Sequence, residues 1–383
     1  MTPRTVLVLG AGVAGPTLAY WLARQGMHPV VVEKAETLRS SGNPVDVKGP
    51  AIRVAEEMDV LPRLRAAATA VTGATLLDLG GRPMARLPTA PEGSDDVEIT
   101  RADLATIMFD AAADSAEYVF GDTVVSLTQD PAGVDVTFAK AAPRRFDLVI
   151  GTDGIHSTVR RMVFGPEERF ARDLGFNLAT VPLPLDMIRE RHDMQVYNAP
   201  GRLAVLHPGK AEGLAMFVFR TPLPPGHDRR DKAAHLRLAT QAFQNLGWRI
   251  PELIDALHRH HDPYFDRLSQ IRIDSWSRGR VALLGDAASS VAVFGDGSTL
   301  AVAGAHALAG ALAANPRDHT RAFREYEKAH RRLVNAKGRQ IKPLAAVLVP
   351  RTTSGLATRN LTTRALARVF SSKLAPALST ATQ

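Results

Sequence analysis

Glycines and carboxylates at fixed intervals, rather than a hydrolytic dyad or triad, are the residues of this chain best suited to chemistry. Gly10, Gly12 and Gly15, with Ala14 between the last two, follow the apolar run Val6-Leu7-Val8-Leu9, and a second run, Val30-Val31-Val32, ends at Glu33, 23 positions after Gly10. This spacing fits capture of a pyrophosphate and a ribose. Gly10 permits a tight turn, Gly12 lets backbone approach a pyrophosphate, and Gly15 allows helix and strand to pack closely. The helix N-terminus then presents N–H groups and a positive dipole end to phosphate. Glu33 falls where a carboxylate accepts hydrogen bonds from adenosine ribose hydroxyls. Lys34 could answer a 2′-phosphate, although a solvated lysine is the simpler reading. Positioning these residues takes a strand over 4–9, a helix over 13–26 and a strand over 29–33.

Two later segments repeat the passage from strand to tight turn. Asp147-Leu148-Val149-Ile150-Gly151-Thr152-Asp153-Gly154-Ile155-His156-Ser157-Thr158-Val159-Arg160-Arg161 reads as a buried strand, an Asp-Gly turn and the start of a basic helix. Arg280-Val281-Ala282-Leu283-Leu284-Gly285-Asp286-Ala287-Ala288 reads as a strand ending in Gly-Asp, and the stretch from Gly295-Asp296-Gly297-Ser298 to Ala314 is almost wholly small and apolar, a helix able to pack tightly.

In order and type, the three segments resemble those of the single-component (group A) flavin monooxygenases, the family of para-hydroxybenzoate hydroxylase, and the chain length is closest to the tetracycline-degrading members. The resemblance runs through nearly the whole chain and is tightest over residues 147–161. It implies that the dinucleotide is FAD. It implies further that Arg101, in Ile99-Thr100-Arg101-Ala102-Asp103-Leu104, touches FAD, that Asp153 serves an Asp-Gly motif used by both FAD and NAD(P)H, and that Asp286 holds a ribityl or ribose hydroxyl. The backbone of Gly295, Asp296 and Gly297, with Ser298 opening the helix, would face flavin N1 and the C2 carbonyl and stabilise the negative charge of reduced flavin.

The chemistry implied is hydroxylation. Reduced flavin reacts with dioxygen to give a C4a-hydroperoxide, whose distal oxygen goes to an electron-rich aromatic or polycyclic, polyketide-like substrate. The protein excludes water and aims the substrate, so no acid–base pair is required. Only one glycine-rich strand–turn–helix unit is present, so NAD(P)H as co-substrate is expected to visit the flavin transiently. Here the sequence departs from the family. Ser289, Ser290, Val291, Ala292 and Val293 stand where an aromatic or His and one or more prolines are usual, and the loop is one residue short. Asp296 adds a carboxylate between two glycines; because an unpaired carboxylate buried beside an anion is costly, it is expected to point to water.

The expected fold class is α/β: a Rossmann-like FAD-binding domain with an inserted antiparallel-sheet substrate domain and C-terminal helices. The boundaries read as 1–170 and 269–320 for the FAD-binding domain, 171–268 for the substrate domain and 321–383 for the closing helices. Further strands are expected at 117–128, 133–138 and 147–150, and helices at 50–67, 101–113 and 231–245. From Leu174 to Pro222 short apolar runs alternate with Pro and Gly, the pattern of an antiparallel sheet. Pro343 and Pro350 should break the C-terminal helices. From the central sheet, Gln195 falls by a loose match where tetracycline-degrading relatives place a substrate-contacting Gln, and Tyr197, His207, Phe217 and Arg220 lie near it by strand spacing. Alternation puts Gln195 and Tyr197 on one face.

Composition narrows the classes. At 383 residues with 45% hydrophobic side chains the chain can fill two intertwined cores. The absence of cysteine excludes disulfides, thiolate catalysis and cysteine metal sites. The N-terminus enters a strand after five residues, and no uninterrupted apolar run approaches about 18 residues, so a cytoplasmic protein without a membrane partner is expected, monomer or homodimer. The net charge of +8 is concentrated between Arg317 and Lys373, where fourteen Lys and Arg face three Asp and Glu. Without a base-stacking aromatic series this reads as a solvated basic face and not as a nucleic-acid surface, although its field would help recruit anionic cofactors. His258, His260, His261 and Asp262 read as a polar helix end rather than a metal site. Trp248-Arg249-Ile250-Pro251 carries half of the tryptophan motif of flavin halogenases and reads as a helix entry. Two rival readings keep FAD without hydroxylation: a cofactor-scaffolded cyclase or isomerase acting on a polyketide-like substrate, and a flavin-binding interaction protein.

Overall fold

The computed structural model describes residues 4–38, 42–91, 93–222, 231–290 and 296–374. They divide into two compact units, Met1–Ala68 with Asp95–Leu174 and Ser269–Ile341, and Thr69–Ser94 with Gly175–Leu268 and Lys342–Gln383.

The first unit is built on a six-stranded sheet in the order Ser277–Arg278, Val281–Leu283, Leu148–Gly151, Thr5–Leu9, His28–Glu33, Glu117–Phe120, parallel except for its first strand. Its central strands are near-continuous Val, Leu and Ile and are buried on both faces, as a parallel sheet covered by helices requires. The covering helices include Ala14–Arg24, Arg101–Ala112 and Gly297–Ala314. The last is long and apolar enough to cross a bilayer, yet most of it is buried in the core. Its small residues permit close approach. A Cβ on Gly304 would lie 2.9 Å from Leu284 Cδ1 and 2.8 Å from His330 Nε2.

Two expected elements are split. The run 117–128 becomes Glu117–Phe120 in the parallel sheet and Val124–Gln129 in a three-stranded antiparallel sheet with Val134–Phe138 and Arg144–Phe146. Gly121, at φ +71°, turns the chain, and the buried carboxylate of Asp122 fixes the corner by accepting N–H bonds from Thr123, Lys140 and Ala141. The helix expected over 50–67 is Pro50–Glu57 and Leu61–Ala67, interrupted at Asp59 with φ +57°.

The second unit carries a seven-stranded sheet ordered Tyr264–Ile271, Ala171–Leu183, Gly213–Phe219, Arg202–His207, Asp193–Ala199, Gly73–Leu77, Pro83–Pro88. It is mixed rather than wholly antiparallel, because Gly73–Leu77 pairs parallel to Asp193–Ala199. Lys232–Phe243 and Ile250–Arg259 contribute Phe243, Leu253 and Leu257 to a core shared with Tyr197, Phe217 and Phe219.

The boundaries differ from expectation in two ways. Residues 69–94, assigned to the FAD-binding domain, supply two strands to this second sheet, and the C-terminal helices form no separate body. The helix His319–Leu348 runs through Pro343, and the break falls at Pro350, before Thr353–Leu374. Pro343 is tolerated because it and Arg339, whose carbonyl loses its N–H partner, are both exposed to water.

Candidate functional site

The strands that lead into the three motifs end together at the carboxyl end of the parallel sheet. Leu9 is in register with Gly151, and Gly151 with Leu283, so the strands that precede the turns end level and side by side. Backbone bonds close the junctions. Gly10 donates to Val32 O at 2.8 Å, Thr152 to Leu9 O at 2.8 Å and Leu284 to Gly151 O at 2.9 Å. Side chains add two more ties. Thr152 Oγ1 donates to Leu9 O at 2.6 Å, with Gly10 O 2.9 Å away, and the fully buried Arg160 donates through Nη1 to Ala287 O at 3.0 Å and through Nη2 to Ile155 O at 2.5 Å and Glu167 Oε2 at 3.1 Å. Ligands of open parallel sheets bind in the crevice beyond the carboxyl ends of such strands.

The first turn fits a dinucleotide in its details. Gly10, at φ +104°, has room for no side chain, because a Cβ would sit 2.8 Å from Thr152 O; a Cβ on Gly15 would collide with the Gly10 carbonyl oxygen. A Cβ on Gly12 would meet no protein atom within 4 Å, so the space above it is open, as a backbone cradle for pyrophosphate demands. Ala14 opens the helix. Glu33 accepts Ala11 N–H through Oε2 and Ala35 N–H through Oε1, each at 2.9 Å, which fixes the carboxylate while leaving lone pairs for ribose hydroxyls. Lys34 is exposed beside it. Arg101 is the first residue of its helix, capped by Thr100 Oγ1 accepting from Asp103 N–H at 3.0 Å, and its side chain is exposed.

In the second turn Asp153 faces inward. It accepts Ser157 Oγ–H at 2.5 Å and the N–H groups of Thr158 and Val159 at 2.6 and 3.1 Å, capping the following helix, while burial pushes its carboxyl up against those bonds. Asp153 therefore shapes the turn, and its half-buried carboxylate keeps acceptor capacity on Oδ1 beyond these bonds. Gly154, at φ +79°, makes the turn possible.

In the third, Asp286 is half-buried in the single 3-10 turn Gly285–Ala287 that follows its strand. Gly295 and the departures at Val291, Ala292 and Val293 lie outside the described residues. Gly297 and the buried Ser298 form the first turn of the helix Gly297–Ala314, whose opening N–H groups have no acceptor within the helix. Asp296 does not simply point to water. Its carboxylate lies 2.9 Å from Lys48 Nζ and 3.0 Å from Lys337 Nζ and is 23% exposed. Burial alone would raise its pKa, but the two ammonium groups hold it below the ordinary carboxylate range.

The substrate candidates do not form one lining. Tyr197 and Phe217 are 2% and 0% exposed in the core under the two helices, Tyr197 stacking on Trp248 with centroids 5.3 Å apart and donating to Leu79 O at 3.3 Å. They are packing residues, since the sheet face they occupy is the one the helices cover. Gln195, opposite Leu206 in the register, shares that face and is half-buried. His207, paired with Leu214, projects from the opposite face and is buried. Arg220 follows the sheet and lies over the Phe176 ring at 3.8 Å. Trp248 lies two residues before the helix that starts at Ile250, and His258 Nε2 lies 2.8 Å from Thr240 Oγ1 while Asp262 pairs with Lys232.

Fold and turns together define an FAD-binding α/β protein: a pyrophosphate cradle, a ribose carboxylate, and two further turns tied to it by the sheet. Comparison with known proteins agrees. A family model described as "FAD binding domain" matches residues 4–337. An uncharacterized protein of Mycobacterium tuberculosis is 40% identical over 84% of this chain and 88% of its own length, and a flavin-dependent monooxygenase of Legionella longbeachae is 33% identical over 86% of each. The crystal structure of tetracycline destructase Tet(51) superposes with a TM-score of 0.82 at 31% identity, covering 96% of this chain and 98% of that one. The chain belongs to the group A flavin monooxygenase family and is an FAD-dependent enzyme.

Proposed function

We propose that this enzyme uses NAD(P)H and dioxygen to hydroxylate an aromatic or polycyclic, polyketide-like small molecule. The observation that carries the reading is the convergence of the strands leading into all three motifs at the carboxyl end of a parallel sheet, in a chain 31% identical to a tetracycline destructase across nearly its full length. When bound, FAD supplies the redox and oxygen-activating chemistry. The chain's own residues do the rest. Gly12 and the N-terminus of Ala14–Arg24 receive the pyrophosphate, Glu33 the ribose, and Arg101 brings a cation to the same ligand. The first turn of Gly297–Ala314 offers N–H groups where the pyrimidine end of the flavin gathers negative charge. Of the five substrate candidates, His207, on the face opposite the helices, and Arg220 remain.

The pairing of Asp296 with two lysines answers the like-charge objection to a reduced flavin, which was one part of the case for a non-redox cyclase; the other departures, at Val291, Ala292 and Val293, lie outside the described residues. The reading is tested by anaerobic addition of NADPH, then NADH, to the purified yellow protein, followed by aerobic turnover with a panel of phenolic and polycyclic compounds. Bleaching of the flavin and a product carrying one added oxygen atom are expected. Nicotinamide oxidation that no compound on the panel stimulates, with no oxygenated product by mass spectrometry, would overturn it.

A further inference from the structure

Asp296, the residue before the helix Gly297–Ala314, belongs to a chain of alternating charges. Lys48 Nζ lies 3.0 Å from Asp46 Oδ2 and 2.9 Å from Asp296 Oδ1, and Lys337 Nζ lies 3.0 Å from Asp296 Oδ2. All four side chains are partly sheltered, with exposures of 23–34%. The network brings together three distant stretches: the end of the strand Pro44–Val47, the residue before the helix Gly297–Ala314, and the long helix His319–Leu348. Backbone ties run in parallel. Thr299 Oγ1, in the first turn of its helix, accepts Lys48 N–H at 3.1 Å and donates to Asp46 O at 2.9 Å. Asp296 is the N-cap residue, but its side chain makes no capping bond. The carboxylate is instead drawn to the lysines, and the helix N–H groups are left for a ligand.

We propose that Lys48, Asp296 and Lys337 form a positioning clamp that anchors the N-terminus of the helix Gly297–Ala314 and sets the local charge felt by the flavin. Among these four side chains two ammonium groups balance two carboxylates, with the Glu98 carboxylate acting on Asp46 from the paired strand, so each single substitution changes the local charge by one unit. Lys337 thus has a role within the basic stretch 317–373 that a solvated face does not explain. The proposal rests on FAD binding alone and not on hydroxylation, and it is tested on oxidised enzyme without nicotinamide or substrate.

Sulfite is a suitable probe, because its addition to flavin N5 makes the ring anionic, and the bleaching can be titrated. Asp296→Asn leaves one excess positive charge, and should tighten sulfite binding by about fivefold and raise the flavin midpoint potential. Lys337→Met leaves one excess negative charge, and should weaken sulfite binding by about the same factor and lower the potential. The double variant restores the balance and should return both readings to within about twofold of wild type, a rescue that loss of structure would not produce. Lys48→Gln provides a second lysine variant of the same sign should Lys337→Met fail to hold flavin. Single variants that shift sulfite affinity in the same direction, or not at all, or a double variant worse than either single, would overturn the proposal.

Discussion

The parallel-sheet unit prepares its ligand site with backbone, whereas the seven-stranded unit offers side chains on the two faces of a sheet. In the first, strand register sets the site: Leu9, Gly151 and Leu283 stand level, and Thr152 and Arg160 stitch the turns that follow. In the second, a sheet has two faces, and the face a side chain takes decides what it can do. Tyr197 and Phe217 are spent on the core, while His207 projects from the other side. A backbone cradle is fixed by the fold and is therefore shared across a family, whereas the side chains of a sheet can change without changing the fold.

Substitutions in the two regions should fail differently. The largest effect is expected at Gly15, where a side chain would collide with the Gly10 carbonyl. Gly15→Val should cost more than about 4 kcal/mol, read as loss of the cooperative thermal transition. Next comes Arg160→Met, which leaves the Ala287 carbonyl without its donor and the Glu167 carboxylate without its buried partner. About 3 kcal/mol is expected from urea denaturation.

His330 provides a pH test within the same unit. Packed against Tyr326 and Trp276, its imidazole is held by burial at about 4, below its ordinary 6.5. The unfolded chain therefore takes up the proton first, so stability is full above pH 6.5 and falls as the pH drops toward 4. Roughly 2–3 kcal/mol should be lost between pH 7.5 and 4.5, and His330→Leu should remove that part of the slope. The smallest effect belongs to the sheet unit. Tyr197→Phe gives up one bond to Leu79 O and should cost about 1 kcal/mol with KM for substrate unchanged, whereas His207→Gln, on the opposite face of the sheet, should change KM. A KM shift in Tyr197→Phe would erase the distinction between the two regions.

The cradle was legible in the sequence because local rules dictate it: Gly10, Gly15 and Gly154 each answer a conformational or steric demand made within a few residues. What escaped was long-range. Nothing local marks Lys48 and Lys337 as partners of Asp296, 248 and 41 positions away, and nothing in the run 69–94 marks two of its strands as members of the other sheet. Asp153 was visible as a motif residue, but its inward orientation depended on the helix it caps. Alternation correctly placed Gln195 with Tyr197 on one face, but it could not tell which face the helices would cover.

The central claim is that the space above Gly12 is ligand space. Because a side chain there would meet no protein atom, Gly12→Val should fold and melt within about 2 °C of flavin-free wild type. Titration by flavin fluorescence should show one FAD bound per wild-type chain and affinity reduced by roughly a hundredfold or more in the variant. A folded Gly12→Val protein that binds FAD as tightly as wild type would contradict the account.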